Sequence, residues 1–342
     1  MPSTNRRLRI ASALFPVVVA ACAAASSPDR ATNESGLTKL GPARDWSRFP
    51  PVVEVDGVDE LWAVSDVHGD YGAFTKLLAN AHVIGGTPAT PEAVQWTAGR
   101  AALVVVGDVV DKGPDALDVV RMLAALQTSA TAAGGRVIVT MGNHEAEFLA
   151  EPTNSKALAS DGIDHELAST GLTPQQTAAG QGEIGTFLRS LPFAARVDDW
   201  FFVHAGKTDG RTVAQLEQDL RSGVDQAGFG APVLSAPDSL LEARLSKTPS
   251  QWWDVSGDPV GLLGQWTAAL GTHHLVMGHQ PGLVAFADGT TRPADQLFQA
   301  FGGLLFLLDT GLSVDVDRTG GTLLHVTGAG APGVAWQEFP AR

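Results

Sequence analysis

The chain has 342 residues, 44% of them apolar, with 37 acidic against 23 basic side chains and a formal net charge of −14. That length supports one large α/β domain or two small ones. So acidic a chain repels nucleic-acid backbone, which argues against a dedicated DNA or RNA binder, and a lone cysteine excludes a disulfide-built scaffold.

Residues 1–21 read as a signal peptide. Arg6, Arg7 and Arg9 make a basic start, 10–20 an apolar run too short for a comfortable bilayer span, and 20–25 a zone of small residues. Arg6-Arg7 hints at twin-arginine export, although the residues after it fit that signal poorly. The only cysteine, Cys22, ends Val19-Ala20-Ala21-Cys22, which resembles a bacterial lipobox; ordinary cleavage beside it is the alternative. The expectation is an exported bacterial protein, periplasmic or at the cell surface, attached to a membrane through a lipid on Cys22 and in no other way. Without the first 21 residues, 20 basic side chains face 37 acidic ones. Residues 22–50, rich in Ser, Thr, Asn, Gly and Pro, read as a flexible tether, leaving 51–342 as the folded domain.

Five short apolar runs follow, at 61–64, 102–106, 137–141, 201–203 and 275–277, with Gly or Asp close by, and read as buried strands. Each leads into a polar motif. In chain order these are Ser65-Asp66-Val67-His68-Gly69, Gly107-Asp108-Val109-Val110-Asp111-Lys112-Gly113, Gly142-Asn143-His144-Glu145, Val203-His204-Ala205-Gly206 and Met277-Gly278-His279-Gln280. Phe74, Leu77 and Leu78 predict a helix over 71–80, and Pro114 opens a second to about residue 131. Strand, motif and helix in alternation predict βαβ units and a mostly parallel first sheet. The stretches 151–186 and 207–263, with helical patches at 213–221 and 240–245, read as cap and rim around a crevice. Short runs at 304–308, 313–316, 322–326 and 334–336 predict an antiparallel second sheet.

In an open α/β sheet, loops at the strand carboxyl ends share a crevice, so the five motifs can converge. Their oxygen and imidazole donors suit a pair of Mn, Fe or Zn ions, Mn favoured, that clamp a phosphoryl group and activate water. Asp66 and His68, two apart in an extended segment, share a face and would hold the first metal. Asp108 is the bridging carboxylate, and Asn143, His204 and His279 complete the second site.

The motif set resembles the calcineurin-like metallophosphoesterase superfamily over roughly 61–312. Within it the resemblance is to the phosphoprotein-phosphatase-like branch, and the segments at 202–206 and 275–279 are most similar to Shewanella-like phosphatases. That resemblance implies a four-layer αββα sandwich with helical cap insertions and a binuclear-metal phosphatase acting on phosphomonoesters, phosphoproteins among them, by in-line attack of a metal-bound hydroxide. It implies metal ligands at Asp66, His68, Asp108, Asn143, His204 and His279, a general acid at His144, and Asp111 orienting it.

Two residues depart from the branch pattern. Lys112 stands where Arg is usual in the substrate clamp, replacing a planar fork by a point charge. Asp254, after Gln251-Trp252-Trp253, stands where an Arg often follows the aromatic pair. Glu145 reads as loop support. Asp309 is open between a supporting role and a turn, and Trp252-Trp253 between core and pocket wall. His82, His165, His273, His274 and His325 have no partner motifs and read as surface or core residues. A dinucleoside-polyphosphate hydrolase and a phosphodiesterase remain alternatives on the same metal core. The rival of another class is a catalytically impaired protein that binds a phosphate ligand.

Overall fold

The computed structural model describes residues 40–245, 251–282, 284–293, 295–329 and 335–340. The signal peptide and Cys22 lie outside the described residues. In chain order the elements are β1 (Val52–Val55), β2 (Glu60–Val64), α1 (Tyr71–Asn80), β3 (Ala102–Val106), α2 (Ala116–Ala132), β4 (Arg136–Thr140) and α3 (Asn143–Ala150). Then come α4 (Ile163–Leu167), α5 (Pro174–Ala178), α6 (Gly182–Ser190), β5 (Ala194–Val197), β6 (Trp200–Val203), α7 (Val213–Ala227), α8 (Pro232–Ser235) and α9 (Pro259–Leu270). The chain ends with β7 (His274–Met277), β8 (Val284–Ala285), β9 (Thr291–Arg292), β10 (Phe298–Ala300), β11 (Leu305–Leu307), β12 (Thr322–Thr327) and β13 (Ala335–Pro340).

Two sheets carry the domain, in the orders β13-β12-β2-β3-β4 and β1-β5-β6-β7-β11-β10. Successive side chains on a strand face opposite ways, and both faces here are apolar. Leu61, Ala63, Val104 and Val106 of one sheet pack with Phe202, Val276 and Phe306 of the other, forming the core between the sheets. The alternate residues Trp62, Val64, Leu103 and Val105 join Phe74, Leu77 and Val120 of α1 and α2, while Phe201, Val203 and Leu275 share a cluster with Leu216, Leu220 and Leu263 of α7 and α9. Helix, sheet, sheet, helix is the expected four-layer sandwich.

The central strands β2, β3 and β4 are parallel, and so are β6, β7 and β11. Contacts between the loops that follow them, such as His204 with Asp108 and His279 with Asp66, bring the carboxyl ends of both sets to one edge of the sandwich. The motifs are shared between two facing sheets, three on one and two on the other, rather than set along one crevice.

The predicted antiparallel second sheet is not found. β11 pairs parallel with β7, and β12 lies antiparallel to β2, extending the first sheet with β13. Residues 313–316 form a turn, in which the Ser313 carbonyl accepts from Val316 N at 3.1 Å and Arg318 N at 2.9 Å. A short apolar run predicts a strand but not its partner, because partner choice rests on packing between distant segments.

Helix α1 falls on 71–80 as predicted, with the Asp70 carboxylate accepting from Ala73 N at 2.9 Å as its cap. Helix α2 starts at Ala116 rather than Pro114, and its first N–H groups are capped from afar: Glu166 accepts from Ala116 N at 2.7 Å and Leu117 N at 2.9 Å. The predicted helical patch at 240–245 is a turn, where the Ser239 hydroxyl accepts from Glu242 N at 3.2 Å and competes with helix. The predicted tether is partly docked. Arg44 donates to the carbonyls of Phe49, Arg189, Ser190 and Leu191, and Arg189 donates to those of Leu40 and Pro42. Among the described residues, no helix is long and apolar enough to cross a membrane.

Phe306 sits between the sheets against Trp200, at a ring separation of 4.9 Å, and Trp336, at 5.3 Å. Phe306→Ala should cost about 3–5 kcal/mol, read as a lower urea midpoint at unchanged slope. A loss under about 1 kcal/mol would mean that the ring is not part of the inter-sheet core.

Candidate metal centre

Every predicted ligand lies at the shared strand edge and is buried: Asp66, His68, Asp108, Asn143, His204 and His279 are each at most 3% exposed. Asp108 is central. Its Oδ2 is 3.3 Å from His204 Nε2, 3.7 Å from His68 Nε2 and 3.9 Å from His144 Nε2. Asp66 Oδ1 lies 4.0 Å from His68 Nε2, and the Asp66 carboxylate accepts from His279 N at 3.0 Å. Two groups of donors, His68 with Asp108 and His144, and Asp108 with His204 and His279, each fall within the span of one metal ion.

The imidazole hydrogen bonds fix which nitrogen faces inward. His204 Nδ1 lies 3.0 Å from the Val106 carbonyl and His68 Nδ1 3.2 Å from that of Val110. A carbonyl only accepts, so both Nδ1 atoms carry hydrogen and both Nε2 atoms point into the site. There His204 Nε2 meets Asn143 Oδ1 at 3.1 Å and His279 Nδ1 at 3.0 Å. Acceptor atoms in contact require a proton or a cation among them. A divalent ion with mixed oxygen and imidazole ligands fits that demand, and the hydrogen-bonded far nitrogens are the support that metal-bound imidazoles use.

Glu145 locks the loops. Its carboxylate accepts from the N–H groups of Asp108 at 3.0 Å, Val109 at 2.8 Å, Val110 at 3.1 Å and Gly142 at 2.7 Å. The loop support expected of Glu145 is thus what the structure shows. The loops also approach closely at Gly107, where a Cβ would stand 2.6 Å from the Gly142 Cα. Asp66, His68, Asp108, Asp111, Lys112 and His279 all have positive φ, between 48° and 66°. Such left-handed backbone costs energy in non-glycine residues and gathers at functional sites. Asp66 and His68 therefore converge through a strained turn, not through the extended segment expected of them.

The electrostatics are those that a bound cation would relieve. Burial raises Asp66 to about 6. Burial and the Asp108 charge push Glu145 up to about 7. Burial opposes a charged His204, yet Asp108 overrides it and raises the imidazole to about 10. Burial and the His204 charge lower His279 to about 2, and burial holds His68 well below its ordinary value.

His144 and Asp111 meet as expected, Nδ1 to Oδ2 at 2.8 Å, and Asp111 Oδ1 accepts from Ile163 N at 2.9 Å. Lys112 Nζ stands 3.4 Å from His68 Nε2, at the mouth of the site. Asp254 is not in the site as a counterpart of Arg: its carboxylate accepts from Gln251 N at 3.0 Å within its own turn. Among the described residues of this region, the exposed Arg244 adds a small positive field that contributes to the lowering of His279. Asp309 proves buried beside the centre, raised well above its ordinary value by burial and by Asp66. The buried Arg292, donating to the carbonyls of Gln280 and Asp309, joins two site loops; no sequence motif marks it. Trp253 is core, stacked on Phe286, and Trp252 stacks on Trp266. His273 pairs with Asp199 at 2.7 Å and His325 stacks on Trp62, both apart from the centre.

Residues 60–289 match the profile of the calcineurin-like phosphoesterase family, over more than half of the chain. The chain belongs to that family. This phosphoesterase is 26% identical over 285 residues to an uncharacterized protein of Schizosaccharomyces pombe, covering 74% of this chain and 73% of the relative. It is 31% identical over 172 residues to a symmetrical bis(5'-nucleosyl)-tetraphosphatase of Janthinobacterium, covering 48% of this chain but only 53% of that enzyme. Its fold is similar to the crystal structure of a cold-active protein-tyrosine phosphatase of a psychrophilic Shewanella, at a TM-score of 0.62 and 19% identity over 87% of this chain and 85% of that one.

The raised His204 sets a pH signature for the phosphoesterase stripped of metal by a chelator. The folded state keeps the His204 proton to about pH 10, whereas the unfolded chain releases it near 6.5. Folded protein thus holds the extra proton between those values, and stability falls as pH rises through them. His68 and His279, being lowered, slope the other way but only below about 6.5. The melting temperature should therefore drop between about pH 7 and 9. His204→Asn should flatten the profile, and a divalent cation should abolish it by replacing the proton. A flat or rising profile in the stripped wild type would contradict this account.

Proposed function

We propose that this chain is a two-metal phosphomonoesterase whose substrates include phosphoproteins. The observation that carries this reading is the convergence of Asn143 Oδ1, His204 Nε2 and His279 Nδ1 beside Asp108 Oδ2, acceptors that only a proton or cation reconciles. Asp66, His68 and Asp108 would hold one divalent ion; Asp108, Asn143, His204 and His279 would hold the other. A donor set of oxygen and imidazole without thiolate suits Mn, Fe or Zn, and Mn is favoured. Two such ions, when bound, polarise a phosphoryl oxygen and bring the pKa of water near 7.

The remaining chemistry belongs to side chains. Asp111 accepts a hydrogen bond from His144 Nδ1 at 2.8 Å, which leaves Nε2 as the atom that passes a proton to a leaving oxygen. Lys112 brings positive charge to a site rich in buried carboxylate, and so helps to draw in a phosphate anion. Export and lipidation at Cys22 belong to the same proposal and rest on the N-terminal sequence.

Purified protein with Mn²⁺ should hydrolyse an aryl phosphate. Asp108→Asn should remove most of that activity together with bound metal, and wild-type turnover at normal metal content would sink the assignment. His144→Asn should lower kcat by about 10²- to 10⁴-fold with metal retained. Loss of metal in that variant would instead place His144 among the ligands.

The stretch shared with the tetraphosphatase favours a second reading, hydrolysis of dinucleoside polyphosphates. Comparing kcat/KM on the aryl phosphate, a phosphopeptide, a bis-aryl phosphodiester and diadenosine tetraphosphate separates the readings. The first two should lead. A lead for the dinucleotide would reassign the substrate class and leave the metal core standing.

A further inference from the structure

We propose that Glu147 is a positioning residue that sets the amide orientation of Asn143, an inference that rests on the two-metal reading above. An amide side chain ligates a hard cation through oxygen only, and a half-turn about its last bond would present NH₂ to the ion instead. Asn143 opens α3, and Glu147 stands one turn further along the same helix. Asn143 Nδ2 donates to Glu147 Oε1 at 3.1 Å while Oδ1 faces His204 Nε2 at 3.1 Å. An ionised carboxylate accepts and never donates, so Glu147 can face only the NH₂ side of the amide.

Glu147 is itself held from outside the helix. Lys156, in the segment between α3 and α4, donates to the same Oε1 at 2.5 Å. The pair is partly exposed, with side chains 33% and 28% accessible, so its worth lies in geometry more than in Coulomb energy. Lys156 is placed in turn by Asn154, whose Oδ1 accepts from Lys156 N at 2.8 Å. A line of contacts thus runs from the cap through Lys156 and Glu147 to the amide that faces His204.

The test compares wild type, Glu147→Gln and Lys156→Met by calorimetric titration of chelator-stripped protein with Mn²⁺, with metal content after dialysis as a check. Glutamine keeps the shape but can donate as well as accept, so it no longer discriminates between the two amide orientations. Glu147→Gln should weaken one of the two Mn²⁺ sites by about 10- to 100-fold and leave the other unchanged. Lys156→Met should move the same site in the same direction by less. Unchanged affinities in Glu147→Gln, or equal weakening of both sites, would overturn the proposal. If that variant fails to fold, Lys156→Met decides: wild-type affinities there overturn it. A wild type that takes up no Mn²⁺ would overturn the metal reading on which the proposal rests, so the two failures are distinguishable.

Discussion

Lone pairs repel, and at the centre of this molecule they are held in contact. Asp108 Oδ2, Asn143 Oδ1, His204 Nε2 and His279 Nδ1 crowd together in a buried space, where imidazole protons or a cation must stand between them. Left free, these side chains would turn outward to water. That they cannot is the constraint on which the rest of the structure depends, and it explains features that would otherwise be liabilities. Six site residues occupy left-handed backbone. One buried carboxylate, Glu145, is spent on four backbone N–H groups. Strain and buried charge of that kind persist only where surrounding structure over-determines them.

The sandwich supplies that rigidity. Parallel strands send their carboxyl ends the same way, so two sheets packed face to face bring six loops to one edge. β2, β3 and β4 deliver Asp66, His68, Asp108, Asn143 and His144; β6, β7 and β11 deliver His204, His279 and Asp309 from across the core. The large rings between the sheets, Trp200, Phe202 and Phe306, therefore do more than fill volume. They fix the distance between two halves of one site, and close-packed interiors transmit such distances with little slack.

Much of this was legible in the sequence, and the exceptions have a common cause. Strands β2, β3, β4, β6 and β7 announced themselves because each is an apolar run that leads directly into a polar motif; helix α1 did so through its apolar spacing. The motif residues were legible because Asp, Asn and His at strand ends are chemically distinctive. What could not be read was anything decided between distant segments. β12 joins β2 rather than closing the second sheet, α2 is capped by Glu166 from the insertion, and Asp254 serves its own turn. Arg292 is the clearest case: fully buried, bonded to the carbonyls of Gln280 and Asp309, and unmarked by any local pattern.

The insertion between α3 and β5 shows how far the site extends beyond its motifs. Sequence reasoning gave this stretch to the rim, where substrate is chosen. In the folded protein it reaches the chemistry at three points: Ile163 N holds Asp111, Lys156 holds Glu147, and Glu166 holds the start of α2. Asp111 in turn bears on His144, and Glu147 on Asn143. A rim built this way cannot change its shape for a new substrate without disturbing the groups beneath it. Conversely, any contact that orders the rim also steadies both the proposed acid and a proposed metal ligand. Selectivity and catalysis are then mechanically joined in this chain, through hydrogen bonds that are individually ordinary and together fix the two side chains whose orientation the chemistry can least do without.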